Sequence, residues 1–465
     1  MAKPVHVIVT LMLLIYAVSA SASGSIVLAS QIGARLDSDL MIGGGTDDTA
    51  VLQRVLNKAT GKRPLDLVID GPALVSGLEI RGYTTVECIK GAGFYLKDHS
   101  NRAVIRNAHR TPDVIEDEHI VLKGCFLNGN REHNYGYDAA TRAKRPCSTD
   151  DGHGDNIDGI QFYGVNDLSI RDTTVWSMRA YGIHVANVNY VDLRQITVDS
   201  GVPYRDIDMF DKSCDDAVHV EGPTRYIFID GLRARTGDDG ISLDEEETGI
   251  DPLIKPGPII DVVATNIDVM DSESALRIVS DKERVDGIVV SNIAGTVSGL
   301  WGIGISHFLN KECATSHENC GDIGSIIIGN VNLAPSQYRQ RLVEQLIEYG
   351  RNLQDGDLDA EFNSGNFPFI NINGHAENIS LRNVTTRSID SRPVLRVGPD
   401  SDVGTLTVDL TIYDPGQVAV PIQLDKGSHV GKFNLSLDWS GAPDKAIDNK
   451  GGFVDKMHWE GHEGR

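Results

Sequence analysis

The chain has 465 residues, 66 of them acidic and 43 basic, giving a formal net charge of −23. That length suits one large solenoid or a few ordinary domains. The charge repels nucleic acid, so no nucleic-acid partner is expected, and a uniformly polyanionic substrate would need a locally basic groove.

The N-terminus reads as targeting rather than fold. Lys3 precedes the apolar run VIVTLMLLIYAV, and small residues at Ala20 and Ala22 suit cleavage. Residues 1–22 are therefore expected to be a secretory signal peptide, with an uncleaved anchor as the alternative. No later stretch is apolar enough to span a membrane, so a secreted chain with no membrane partner is expected. Cys88, Cys125, Cys147, Cys214, Cys313 and Cys320 follow the signal, and export permits disulfides. Cys313 and Cys320 are close enough in sequence to close a short loop. No cysteine has zinc-ligand spacing with histidine, so no metal and no cofactor is expected. Asn378, Asn383 and Asn434 lie in glycosylation sequons.

GGGTDDTAVLQRVLNKA, from Gly43 to Ala59, turns and then becomes helical. Thr46 or Asp47 can cap this helix, and Val51, Leu52, Val55 and Leu56 give it an apolar stripe. Beyond it, short apolar runs alternate with Gly and Asn turns, as in LDLVID, GLEIRG, TTVECIKG and HIVLKGCFLNG. These are strand signals.

A repeat then emerges. Strand-like runs start at Asp158, Tyr181, Asp216, Asp239, Ser274 and Trp301, in steps of 23, 35, 23, 35 and 27 residues. A base period near 23 with insertions on one side marks a solenoid. The expected fold is all-β: a right-handed parallel β-helix over residues 23–444. It has an N-terminal capping helix and a helical insertion near 336–353. A loose polar tail is expected over 445–465.

Strand alternation sets the register. Ile160, Ile183, Val218, Ile241 and Leu276 should stack inward. Phe162, Val185, Val220, Leu243 and Ile278 should do the same two residues on. Gln161, His184, His219, Ser242 and Arg277 then face outward. Asp158, Tyr181, Asp216, Asp239 and Ser274 stand at the strand entrances.

The chemistry concentrates between Cys214 and Glu247. A 23-residue return stacks Asp216 beside Asp239, and Asp238 precedes the latter. Like charges at successive coils raise one apparent pKa, so a carboxylic acid can stay protonated near neutrality. Glycoside hydrolysis needs such an acid together with a base for water. Taken alone, an Asp-Asp before glycine is also a common turn.

CDDAVHVEG followed by TGDDGISLD resembles the polygalacturonase family, family 28 of the glycoside hydrolases. The helical segment after Gly43 is similar to the opening of many pectate-lyase-like β-helices. The architectural resemblance covers residues 40–440, and the active-site resemblance covers Asp216 to Arg277. It implies that Asp216 matches the aspartate of the family's NTDG-type motif, and that Asp238 and Asp239 match its GDD-type motif. Asp238 would then be the general acid, with Asp216 and Asp239 holding the water of an inverting hydrolysis. The sequence departs from the family in three ways. The first motif is CDDAV, no GHG motif follows the pair, and Val279 replaces the lysine if SALRIVS matches the RIK rung. Those basic groups grip a sugar carboxylate in the family, so a neutral or differently charged glycan fits as well as polygalacturonate. His184, His219 and His307 are candidates to replace the missing histidine.

Other residues carry two readings. Arg277 is a substrate clamp or a salt-bridge partner of Asp239. His219, His184 and Gln161 bind substrate or simply line the groove. Asp215 reads as a solvated neighbour, and Asp158, despite the NIDG likeness, as a subsite or structural residue. Asp244 to Glu247 read as a solvated acidic loop, with calcium binding as the alternative. Trp176, Tyr181 and Trp301 stack on sugars or pack. A secreted, monomeric glycoside hydrolase acting on a polysaccharide is expected. A polysaccharide lyase and a non-catalytic glycan-binding β-helix are the alternatives.

Overall fold

The computed structural model describes residues 25–137, 144–145, 157–201, 215–245, 253–298, 301–306, 320–337, 368–387, 392–399, 401–413, 420–439 and 446–462. The expected signal peptide, residues 338–353 of the expected helical insertion, His307 and Cys313 lie outside them. Among the described residues, no helix is long and apolar enough to cross a membrane.

The chain is a right-handed parallel β-helix. Its strands pair in parallel from coil to coil into one continuous sheet. Short strands form one column: Val218–Glu221, Ile241–Asp244, Leu276–Val279, Ile303–Ser306 and Ile370–Asn373. Ile160 pairs with Ile183, Ile183 with Val218, and Val218 with Ile241. These residues, with Leu276 and the ladder from Phe162 to Ile278, are buried in one aliphatic core. Burying such side chains contributes about 1.5–3 kcal/mol each. The predicted register therefore holds.

Longer strands, such as Ile259–Ser272, Arg284–Val297, Asp322–Pro335 and His375–Arg387, bend where an asparagine adopts a left-handed conformation. Asn266, Asn292, Asn330 and Asn383 have φ of 58°, 57°, 54° and 50°. Asparagine tolerates this region better than most residues with a Cβ. Their amides also bond along the stack: Asn292 to Asn266 at 3.2 Å, Asn330 to Asn292 at 3.2 Å, and Asn383 to Asn330 at 3.0 Å.

The helix Thr49–Leu56 buries Leu52, Val55 and Leu56 against this core. Its N-cap is Asp48. Asp48 makes no side-chain cap; its carboxylate instead takes the Arg35 and Leu36 N–H groups, at 2.7 and 2.9 Å. Asp47 accepts from the Thr49 N–H at 3.0 Å.

Three expectations need correction or completion. The stack runs past residue 444: Ile447–Asn449 and Phe453–His462 are strands, Ile447 pairing with Ile422 and Phe453 with His429. The alternation in FVDKMHW supplies this last coil, which looks polar only by composition. Cys88 and Cys125 form a disulfide between adjacent coils, with Cα atoms 4.8 Å apart. Glu87 pairs with Lys123, so the register brings the two cysteines side by side. Cys320 is disulfide-bonded as well.

The ladder at the bend is directly testable. Asn330→Ala should lower the unfolding free energy by about 1–2 kcal/mol, the left-handed penalty for a Cβ. Asn330→Gly, free of that penalty, should lose less. Equal losses in denaturant titrations would show that the amide ladder, not the backbone, governs this position.

Candidate active site

The coil return puts an acid at two successive strand entrances. Asp239 donates its backbone N–H to Asp216 Oδ1 at 2.8 Å, and Ala217 N–H donates to the Asp239 carbonyl at 2.8 Å. A small residue must follow each acid. A Cβ on Gly240 would come 2.8 Å from the carbonyl oxygen of Ala275 in the next coil. The glycine of TGDDG is therefore needed for stacking.

The turn carrying Asp238 is pinned from three sides. Thr236 Oγ1 donates to the Asp238 and Asp239 carbonyls at 3.3 and 3.2 Å. Glu273 N–H donates to the Asp238 carbonyl at 2.8 Å. Gly237 N–H donates to Asp215 Oδ1 at 3.0 Å. Asp216, Asp238 and Asp239 consequently bring one carboxylate oxygen each within 4.8 Å of one another. Asp216 and Asp239 are buried, and Asp238 is partly exposed.

That crowding shows in their protonation. Burial, then the charges of Asp216, Asp239 and Glu273, push Asp238 well above the usual carboxylate range. Burial and Asp216 push Asp239 up to about 6, against the opposing pull of Arg277, Ser274 and His219. Ser274 Oγ donates a short hydrogen bond to Asp239 Oδ1. Asp239 Oδ2 is buried without a hydrogen-bond partner among the described residues, and Arg277 NH1 stands 3.6 Å from it.

Arg277 follows Ser242 in the outward ladder, and its side chain is 23% exposed. Burial works against its charge, but Asp239, Asp244, Asp238 and Asp216 outweigh it and raise its pKa. Both readings of Arg277 survive: it ion-pairs with Asp239 and still reaches the surface. Trp301, partly exposed, lies across the next rung. A Cβ on Gly304 would meet Trp301 Nε1 at 2.2 Å.

His219 stands behind the acids. Its Nδ1 is 2.6 Å from Asp216 Oδ2, and Tyr181 stacks on its ring at 4.0 Å. Tyr181 is thus a packing residue. His184 is fully buried, with Nδ1 2.9 Å from Asp158 Oδ2 and Nε2 3.0 Å from Glu221 Oε1. Burial opposes its charge, yet Asp158 and Glu221 push its pKa up to about 9. Gln161, fully buried too, donates to Asp158 Oδ2 at 3.3 Å and Tyr163 at 3.1 Å, and accepts from Arg110 at 2.8 Å. These positions correct the expectation that His184, His219 and Gln161 touch substrate: His184 and Gln161 expose no surface and His219 only 2%.

Three acids expected in solvent are buried. Asp215 pairs with Arg131 at 3.4 Å besides holding Gly237. Glu245 accepts the Asp281 and Lys282 N–H groups at 2.6 and 2.7 Å, and Asp244 is buried near Arg277. Each acid has found backbone donors or a cation, which composition alone does not reveal. Glu221 was missed in the sequence. Its signal was the two-residue step from His219, which keeps both on the outward face.

Burial pushes Asp215 up to about 7, against the pull of Arg131 and Gly237 N–H. The folded state thus binds this proton more tightly than the unfolded chain. Its contribution to stability is full at low pH and is lost as pH rises through about 7. Asp215→Asn removes that slope, whatever constant offset the lost ion pair adds. The melting temperature of the variant relative to wild type should therefore climb between about pH 4 and pH 8. A pH-independent difference would mean that Asp215 is ionised throughout.

No family model matches the sequence. No curated protein matches it by sequence either. Solved structures do match the fold. A family 28 exopolygalacturonase of Yersinia enterocolitica aligns over 96% of this chain and 79% of its own, with a TM-score of 0.54 at 12% identity. DFA-IIIase from Arthrobacter chlorophenolicus A6, without its lid, aligns over 93% of this chain and 98% of its own, with a TM-score of 0.54 at 9% identity. At these identities the likeness is one of fold.

Proposed function

We propose that this chain is a secreted glycoside hydrolase that cleaves a polysaccharide in the groove beside Asp216, Asp238 and Asp239. The observation that carries the reading is the convergence of these three carboxylates within 4.8 Å, from two successive coil entrances. The resemblance of CDDAV and TGDDG to the polygalacturonase motifs assigns the same three residues. The first solved structure described above, itself an exopolygalacturonase, has the same scaffold.

The roles follow from the environments. Asp238 is the partly exposed member, and burial with the charges of Asp216, Asp239 and Glu273 favours its protonated form, so it protonates the leaving oxygen. Asp239 Oδ2 has no hydrogen-bond donor among the described residues and takes the proton of the attacking water. Asp216, fixed by His219 and the Asp239 N–H, orients that water. Inversion rests on the resemblance. The cluster is tighter than the roughly 6.5–9.5 Å span usual for an inverting pair.

The geometry also bears on the sugar. Arg277 is the cation nearest the acids, and four carboxylates act on it. Little net positive charge remains to grip a uronate, so a neutral residue at the cleavage subsite is favoured. Trp301, beside Arg277, offers an apolar wall for such a ring.

Asp238→Asn should cut release of reducing ends by about 10²–10⁴-fold on the polysaccharide that wild type cleaves best. A fully active variant would sink the assignment. Unsaturated, ultraviolet-absorbing product ends would make the enzyme a lyase, and binding without turnover across a broad glycan panel would make it a binding protein. Proton NMR of the first-formed anomer reads the stereochemistry, and retention would overturn inversion.

Activity should also fall below about pH 6, where Asp239 takes up a proton, and fall again at higher pH as Asp238 loses its own. A profile flat through pH 6 in kcat/KM would remove Asp239 as the base.

A further inference from the structure

Behind the carboxylates lies a second cluster, and the geometry points to a site for a zinc-type divalent transition-metal ion between His184 Nε2, His219 Nε2 and Glu221. This inference is independent of the proposed hydrolysis.

The arrangement comes from the register. His184 and His219 are paired neighbours on the outward ladder. Glu221 lies two residues beyond His219, so it projects on the same face. Glu221 Oε1 is 3.0 Å from His184 Nε2 and 3.3 Å from His219 Nε2. The three groups keep one donor atom each within 4.8 Å of one another, and all are buried. A tetrahedral ion with zinc-like bonds needs donors about 3.3 Å apart. The imidazoles meet nearly edge to face, at 89°, and both Nε2 atoms lie within 3.3 Å of Glu221 Oε1.

Two further observations point to an ion rather than to packing. Each histidine has its other nitrogen held by a carboxylate: Nδ1 of His184 by Asp158 at 2.9 Å, and Nδ1 of His219 by Asp216 at 2.6 Å. A carboxylate on Nδ1 fixes each ring and its orientation, so that an ion displacing the Nε2 proton would find the usual outer-shell support of histidine ligands. Glu221 Oε2 is buried with no hydrogen-bond partner among the described residues. A buried carboxylate oxygen without a donor is costly, and a cation would satisfy it. Two imidazoles and a carboxylate suit zinc or cobalt and disfavour calcium, which prefers oxygen ligands alone.

The ion would also reach the acids indirectly. By holding His219 at Nε2 it would keep the Nδ1 proton on the nitrogen facing Asp216. His219 is thus a positioning residue for Asp216.

The test uses the full chain, stripped with a chelator and dialysed against micromolar Zn²⁺. Elemental analysis should find about one zinc per chain, as a single three-ligand site requires. Co²⁺ should give the intense visible bands of a low-coordinate site with nitrogen ligands. Excess Ca²⁺ should leave both unchanged. Glu221→Gln should abolish retention of the ion with an unaltered far-ultraviolet circular dichroism spectrum. Asp158→Asn, which alters only the outer support, should weaken it about 10–100-fold. Asp238→Asn should retain it. No zinc after dialysis, a weak all-oxygen Co²⁺ spectrum, or loss of the ion in Asp238→Asn but not in Glu221→Gln would overturn the site. Should Glu221→Gln fail to fold, the wild-type Co²⁺ spectrum decides.

Discussion

The site depends on one hydrogen bond, from the Asp239 N–H to Asp216 Oδ1 at 2.8 Å. It joins two coils at the one place where both begin with an acid. The aliphatic stack beneath fixes the coil spacing, since Val218 sits on Ile241 in register and neither can slip without exposing its face. Strands about 4.8 Å apart leave two successive acids no room to separate. The fold thus enforces a proximity that the charges resist. Thr236, Glu273 and Asp215, which hold the turn by its backbone, keep Asp238 from swinging away.

Opposing charges and donors tame the crowding unequally. Asp216 has an imidazole and a backbone N–H; Asp239 has Ser274 and, at 3.6 Å, Arg277. At Asp238, Arg277 opposes burial and the charges of Asp216, Asp239 and Glu273 without overcoming them, and the carboxyl is held well above its usual range. Identical side chains are thereby given different surroundings, which is what would divide the roles of acid and base in the proposed hydrolysis. The same logic sets the limit on Arg277. A guanidinium answering four carboxylates has little charge left for a substrate.

The fold was legible in the sequence because its signal repeats. The steps of 23, 35, 23, 35 and 27 residues, and the aliphatic residues at fixed offsets within them, gave the inward ladder residue by residue. The carboxylate trio was legible for the same reason, since it follows from register alone. What was not legible depends on three-dimensional burial of polar groups. Asp215, Asp244 and Glu245 look like solvent-exposed acids in composition, and only the donors that reach them from distant coils show otherwise. Gln161 and His184 sit on the outward face, as alternation requires. That face is closed over them by Tyr163, Arg110 and Glu221, and no one-dimensional pattern records this. The Cys88–Cys125 bridge obeys the same coil register in strands upstream of Asp158, where the spacing of the repeat is less regular.

Asp158 shows how the site was assembled from a structural device. At Asp158, Oδ1 accepts the Tyr181 N–H of the next coil at 3.2 Å, and Oδ2 holds the Nδ1 of His184. At Asp216, Oδ1 accepts the Asp239 N–H and Oδ2 holds the Nδ1 of His219. Each entrance residue is followed by a glycine or alanine because the next coil's carbonyl lies against it, as Gly182 O lies 2.7 Å from a Cβ on Gly159. An acid followed by a small residue is therefore a coil-joining element here, which is why NIDG and CDDAV look alike. The difference lies one coil further on. Above Asp158 stands Tyr181, a packing residue; above Asp216 stands a second acid with a third beside it. A single coil joint brings in one carboxylate, and the trio gathers where two joints follow each other without an intervening packing residue.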